Sequence, residues 1–156
     1  MKILGIDPGT GILGFGVIEA NNGNLTCIDA GVIKTPVNQP DAERLETIFD
    51  ELSTVITEHK PAAMGVEKLF FSQNVKTAMS VSQARGVVLL LGRQHKLDLY
   101  EFTPQQIKQA ITGHGGATKN QIQEMVRMLL KLKEIPKPDD AADALAAAIC
   151  CSMSVR

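Results

Sequence analysis

Ile3-Leu4-Gly5-Ile6-Asp7-Pro8-Gly9-Thr10-Gly11 is an apolar run that ends on a carboxylate and then breaks. Residues 2–7 read as a buried strand, and Pro8-Gly9-Thr10-Gly11 as a tight turn. Working outward, residues 12–20 alternate and predict a second strand, with Phe15, Val17 and Ile18 pointing to burial. Asn21-Asn22-Gly23-Asn24 is a hairpin signal, and residues 25–34 complete three strands joined by short turns, an antiparallel meander. The period then changes. Leu45, Ile48, Phe49, Leu52, Val55 and Ile56 follow helical spacing across residues 41–58. A strand is expected over 62–67, a long apolar helix over 74–95 and a short strand over 97–102. Further helices are expected from about Pro104 to Thr112 and from a Thr118 cap to about Leu132, with a last one from Asp139. Met125, Met128 and Leu129 follow the helical period and are expected in the core, whereas His59 and His95 are expected at the surface. A meander followed by β-α-β crossovers predicts an α/β fold with one mixed five-stranded sheet flanked by helices, and residues 1–156 are expected to form a single domain.

Composition narrows the function. With 44% hydrophobic residues the chain can bury a sizeable core. No apolar stretch reaches the length of a membrane span and no signal peptide is apparent, so a soluble, cytoplasmic protein is expected. Cys27, Cys150 and Cys151 lack the spacing of a disulfide framework or a metal site. A net charge of −1 decides nothing about nucleic acid, because a locally basic face is compatible with it.

Four acids carry the chemistry: Asp7, Glu67, Asp140 and Asp143. Asp7 and Glu67 each end an apolar strand. Asp140 and Asp143 open an alanine-rich helix, three residues apart and therefore on one face. Parallel, adjacent strands would place Asp7 and Glu67 at one end of the sheet, and the alanines allow the helix to approach it closely. Charges at the edge of a core need partners, and carboxylates cannot neutralise one another, whereas a divalent cation neutralises several. Hard oxygen donors favour Mg²⁺, with Mn²⁺ able to substitute, and such a set suits two ions about 4 Å apart for phosphodiester hydrolysis. Each acid also has a plainer reading: Asp7 as a turn residue, Glu67 as a solvated strand end, Asp140 and Asp143 as complements to a helix N-terminus. Asp139 reads as a helix cap.

Taken in order, Gly5-Ile6-Asp7-Pro8-Gly9-Thr10, Glu67-Lys68-Leu69-Phe70, Gln83-Ala84-Arg85-Gly86 and Asp140-Ala141-Ala142-Asp143-Ala144-Leu145 resemble the RuvC family of Holliday-junction resolvases. These are bacterial nucleases of the ribonuclease H-like fold. Gly113 to Lys119 and the run Met125-Val126-Arg127-Met128-Leu129-Leu130 extend the likeness over almost the whole chain. The resemblance implies that Asp7, Glu67, Asp140 and Asp143 are the catalytic, metal-binding acids. It also implies that Phe70 enters the junction centre and unstacks bases, and that Lys108 and Lys119 contact DNA near the scissile phosphate. Lys76 and Arg85 extend the basic surface in this reading. The implied activity is a Mg²⁺-dependent crossover junction endodeoxyribonuclease that makes paired symmetric nicks in recombination and repair. It leaves 5′-phosphate and 3′-hydroxyl ends and works as a homodimer through the helix at 74–95, with RuvA and RuvB as partners.

Three other readings compete. A sugar-kinase or actin-type ATPase shares a turn like Asp7 to Gly11, but needs two such domains around its nucleotide. A non-cutting junction binder would gain nothing from four acids that repel phosphates. A related ribonuclease H-like nuclease would act on other branched or RNA-containing substrates.

Overall fold

A computed structural model describes residues 1–9, 11–36, 38–68 and 75–155. Phe70 lies outside them. Among the described residues the elements run β1 (Lys2–Asp7), β2 (Ile12–Asn21), β3 (Asn24–Lys34), α1 (Asp41–His59), β4 (Ala63–Glu67), α2 (Val75–Gln94), β5 (Asp98–Phe102), α3 (Pro104–Thr112), α4 (Lys119–Leu129) and α5 (Asp139–Ser154). The sheet order is β3-β2-β1-β4-β5. β1, β2 and β3 pair antiparallel, whereas β1–β4 and β4–β5 pair parallel. The mixed five-stranded sheet expected from the sequence is therefore the observed one.

Alternation along the strands divides the molecule into two layers. Leu4 and Ile6 of β1, with Met64 and Val66 of β4, pack under α1 and α2 against Ile48, Leu52, Val88 and Leu91. Ile3 and Ala63 turn the other way, to a core built with Ile107 and Ile111 of α3, Ile122 and Val126 of α4, and the inward side of α5. The β2–β3 register shifts between Val17 and Ile18, where Ile28 of β3 is the extra residue, while β2 keeps its alternation, Val17 to one core and Ile18 to the other.

Gly5 and Gly65 alternate with those side chains on the α5 side, and there the helix lies almost on the sheet backbone. A Cβ on Gly5 would stand 2.0 Å from the Ala144 carbonyl oxygen, and one on Gly65 would stand 2.7 Å from Cys151 Cβ. Glycine in the strands and alanine in the helix are thus one feature: neither surface alone permits the approach. At the start of α5, a Cβ on Gly14 would meet the Asp140 carbonyl oxygen at 2.0 Å. Gly14 pairs with Asp7 across the β1–β2 ladder. The N-terminus of α5 therefore points to the end of the sheet where Asp7 sits.

Three local expectations need correcting. α4 ends at Leu129 rather than about Leu132, because Lys131 takes a left-handed φ of 55° just beyond it. Its buried stripe is Ile122, Val126 and Leu130, which leaves Met128 exposed. His59 is not a surface residue: its side chain is mostly covered, and its Nε2 lies 2.9 Å from Asp29 Oδ2, joining the end of α1 to β3.

Candidate active site

β1 and β4 run parallel in the register Gly5↔Gly65 and Ile6↔Val66, and one step further brings Asp7 beside Glu67. Parity fixes their direction. Asp7 stands two residues beyond Gly5 and Glu67 two beyond Gly65, so both side chains emerge on the side occupied by α5. Asp143 stands one turn before Ala147, on the stripe that meets the sheet. Asp7, Glu67 and Asp143 are all half-buried.

The side chain of Asp7 hydrogen-bonds to Glu67 and to Asp143. Two ionised carboxylates have no proton to place between them, so these contacts require a protonated carboxyl. Asp7 is the one that holds the proton. Burial, followed by the charges and hydrogen bond of Glu67 and the fields of Asp143 and Asp140, pushes its pKa up to about 9. Burial also raises Glu67, against the hydrogen bond from Asp7 and the pull of Lys108 and Lys119. Asp143 is raised by burial too, with Lys119 opposing. Asp7 and Glu67 titrate as a pair.

A cavity of about 250 Å³ opens beside Asp7, with Glu67, Asp143, Lys108, Lys119, Ile107 and Ile122 in its wall; Asp7 and Asp140 do not line it. Lys108 comes from α3. Lys119 is the first residue of α4, whose N-terminus is closed by a capping box: Gln121 N–H donates to Thr118 Oγ1 at 3.2 Å, and Thr118 N–H donates to Gln121 Oε1 at 2.8 Å. Both lysines expected near the acids from the resemblance therefore line the acidic cavity.

Asp139 is not a cap. Pro138 occupies the N-cap position without a side-chain cap bond, and Asp139 has already entered the helix. Its Oδ2 instead accepts from Lys119 Nζ at 3.1 Å, and its Oδ1 accepts from Gln123 Nε2 at 3.2 Å. The Lys119 ammonium holds the Asp139 carboxyl below the usual carboxylate range. Sequence reasoning missed this pairing, and no local signal carries it, since the partners lie on different helices. Arg85 also departs from expectation. Its guanidinium is bonded to the Glu101 carboxylate on β5, so it ties α2 to the sheet edge rather than presenting an open charge.

The donor set fits a hard cation. Its members are carboxyl oxygens, and Asp7 carries a proton as the means by which the acids coexist, a role a divalent cation fills more completely. Among the described residues, no group of three or more acids, histidines or cysteines stands gathered closely enough to ligate an ion as it is.

The sheet order, the α5 helix laid on glycines and the acids at the shared end of β1 and β4 define an α/β protein of the ribonuclease H-like class. The sequence pattern of the family described as "Crossover junction endodeoxyribonuclease RuvC" matches residues 3–151. The chain belongs to the RuvC family. It is 52% identical over 155 residues to the crossover junction endodeoxyribonuclease RuvC of Heliobacterium modesticaldum, covering 99% of this chain and 96% of that one. The corresponding protein of Desulfitobacterium hafniense is 54% identical, with 99% and 94% covered. Among solved structures, T. thermophilus RuvC in complex with a Holliday junction substrate superposes with a TM-score of 0.94 at 36% identity, covering 99% of this chain and 94% of that one.

Proposed function

We propose that this protein resolves four-way DNA junctions by paired symmetric nicks, as a metal-dependent endonuclease acting in recombination and repair. The observation that carries the reading is the acidic cavity, in which carboxyls from β4 and α5, each bonded to Asp7 of β1, meet two lysines from α3 and α4. Family membership and the near-complete likeness to a junction-bound relative support the choice of substrate.

Asp7, Glu67, Asp140 and Asp143 would hold Mg²⁺, two ions per subunit, with Mn²⁺ as a substitute. The chemistry supplied when the metal is bound is Lewis-acid activation of water, with neutralisation of charge on the phosphate and the leaving 3′ oxygen. The protein's own groups do the rest. Lys119 and Lys108 bind the scissile phosphate from the cavity wall, and the capping box fixes the start of α4 so that Lys119 is presented there. The exchange of Lys119 from Asp139 to phosphate leaves Asp139 bonded to Gln123, so no carboxylate is abandoned. The apolar side chains of Ile107 and Ile122 in the same wall lower the local dielectric and so strengthen the charge interactions beside them. Phe70 would stack against an unpaired base at the junction centre.

Pairing of the nicks needs two active sites, and α2 offers the surface for a homodimer. Val75, Met79 and Leu90 are 71%, 62% and 52% exposed, spaced along the side of α2 that the monomer leaves uncovered. A two-fold dimer matches the near two-fold symmetry of a four-way junction. RuvA and RuvB are the partners in this reading, and the protein acts in the cytoplasm. No helix among the described residues is long and apolar enough to cross a membrane. The test is a synthetic four-way junction incubated with purified protein. Symmetric nicks with Mg²⁺ and none with chelator are expected, whereas metal-independent cutting or cutting confined to linear duplex would refute the proposal.

A further inference from the structure

A DNA strand drawn across a cluster of acids is repelled where it has to be held, and needs cations on both flanks. Lys108 and Lys119 serve one flank, on the layer formed by α3, α4 and α5. The other flank lies at the same end of the sheet but on the α1–α2 layer, beneath the turn that follows Asp7. Arg44 stands there, on the first turn of α1. Its Nε donates to Thr35 Oγ1 at 3.3 Å, and Thr35 is buried, with its backbone N–H donating to the Gly11 carbonyl at 2.8 Å. Arg44 is thereby fixed to the turn that carries the catalytic strand end.

The guanidinium charge is not spent in holding that turn. Among the described residues, no carboxylate lies within 4.0 Å of Arg44, although Asp41 shares its cavity. That cavity, about 350 Å³, also has Lys76, Ser80 and Gln83 in its wall. It adjoins a tighter cleft that reaches Gly9 and Gly11. A planar fork with no carboxylate partner among the described residues, hydroxyl and amide donors beside it, and a cleft that reaches the turn following Asp7 are the features of a phosphate contact.

We propose that Arg44 binds a backbone phosphate of the DNA on the flank of the acidic centre opposite Lys108 and Lys119, with Ser80 and Gln83 as neutral donors beside it. The inference rests on the DNA reading given above and adds a second anchoring point to it. A strand held on both flanks is fixed in direction across the acids, which two lysines on one flank do not achieve.

Salt dependence separates this role from a merely structural one. Each phosphate contact contributes about 0.9 to the slope of log affinity against log salt concentration. Junction affinity should be measured for wild type, R44Q, R44K and T35V across a salt series, with chelator to prevent cutting. R44Q is expected to lower the slope by about 1, while T35V, which removes the Thr35 hydroxyl but keeps the guanidinium, leaves it unchanged. An unchanged slope in R44Q overturns the inference, as does an equal fall in R44Q and T35V, which would make Arg44 a clamp for the turn. Should R44Q fail to fold, R44K decides: weaker binding at an unchanged slope is expected, and wild-type affinity overturns the proposal. Wild type that does not prefer a four-way junction to duplex refutes the functional reading itself, independently of Arg44.

Discussion

Asp7 is held in the folded, metal-free protein as a neutral acid among acids, and this has a cost that can be measured. Its pKa is about 9 in the fold against an ordinary 3.8, so between those values the folded state binds a proton that the unfolded chain has released. The stability linked to this site is fully present below about pH 4 and is lost as pH rises towards 9. Asp7→Asn removes the titration and keeps the shape. In chelator at pH 7.5 the variant is expected to be more stable than wild type by at least ~1 kcal/mol, a Tm rise of roughly 2–4 °C for a chain of this size. A lower Tm under those conditions, read by calorimetry, would mean that the acids do not strain one another. The four acids were legible in the sequence because each interrupts an apolar or alanine run. The Lys119–Asp139 bond was not, since a cap and an inter-helix ion pair leave the same local trace: an acid at the start of a helix.

At the scale of elements, α5 is the piece on which the site depends, because its first turn carries Asp140, the next carries Asp143, and its body lies on glycines. Gly5→Ala would drive a methyl group into the Ala144 carbonyl, and is expected to destabilise the protein by roughly 3 kcal/mol or more, read as a fall in urea midpoint. A midpoint within error of wild type would show that α5 can lift away freely. The same burial pushes the thiols of Cys150 and Cys151 up to about 11 and 12. Neither is expected to react with iodoacetamide at pH 8 in the native state, whereas both react in denaturant; mass spectrometry distinguishes the outcomes. The order and type of the elements were readable because hydrophobic period changes abruptly after Lys34 and again around each later strand. The alanine face of α5 was readable too. Its glycine counterpart was not, since Gly5, Gly14 and Gly65 become one groove only after β1, β2 and β4 are set side by side. The end of α4 was overextended because apolar spacing continues to Leu132 past a backbone reversal at Lys131.

At the scale of the whole molecule, the proposed function draws on two surfaces: the acidic cavity, as the site for cation and DNA, and the uncovered side of α2, as the contact for a second copy. Replacing Met79 and Leu90 together by glutamate is expected to give a folded monomer by sedimentation, with paired nicking lost in favour of slow single nicks. A dimer that persists would move the contact elsewhere. Arg85 illustrates what the sequence withheld at this scale: it reads as a surface cation until β5 brings Glu101 to it. The claim on which everything else depends is that Asp7, Glu67, Asp140 and Asp143 act jointly on one phosphate. Single-turnover cleavage of a synthetic four-way junction in Mg²⁺, measured for D7N, E67Q, D140N and D143N beside their junction affinities in chelator, addresses it directly. Each variant is expected to lose cleavage by at least about 100-fold while retaining affinity within a few-fold of wild type; cleavage kept near wild-type rates by any two of the four would contradict the account.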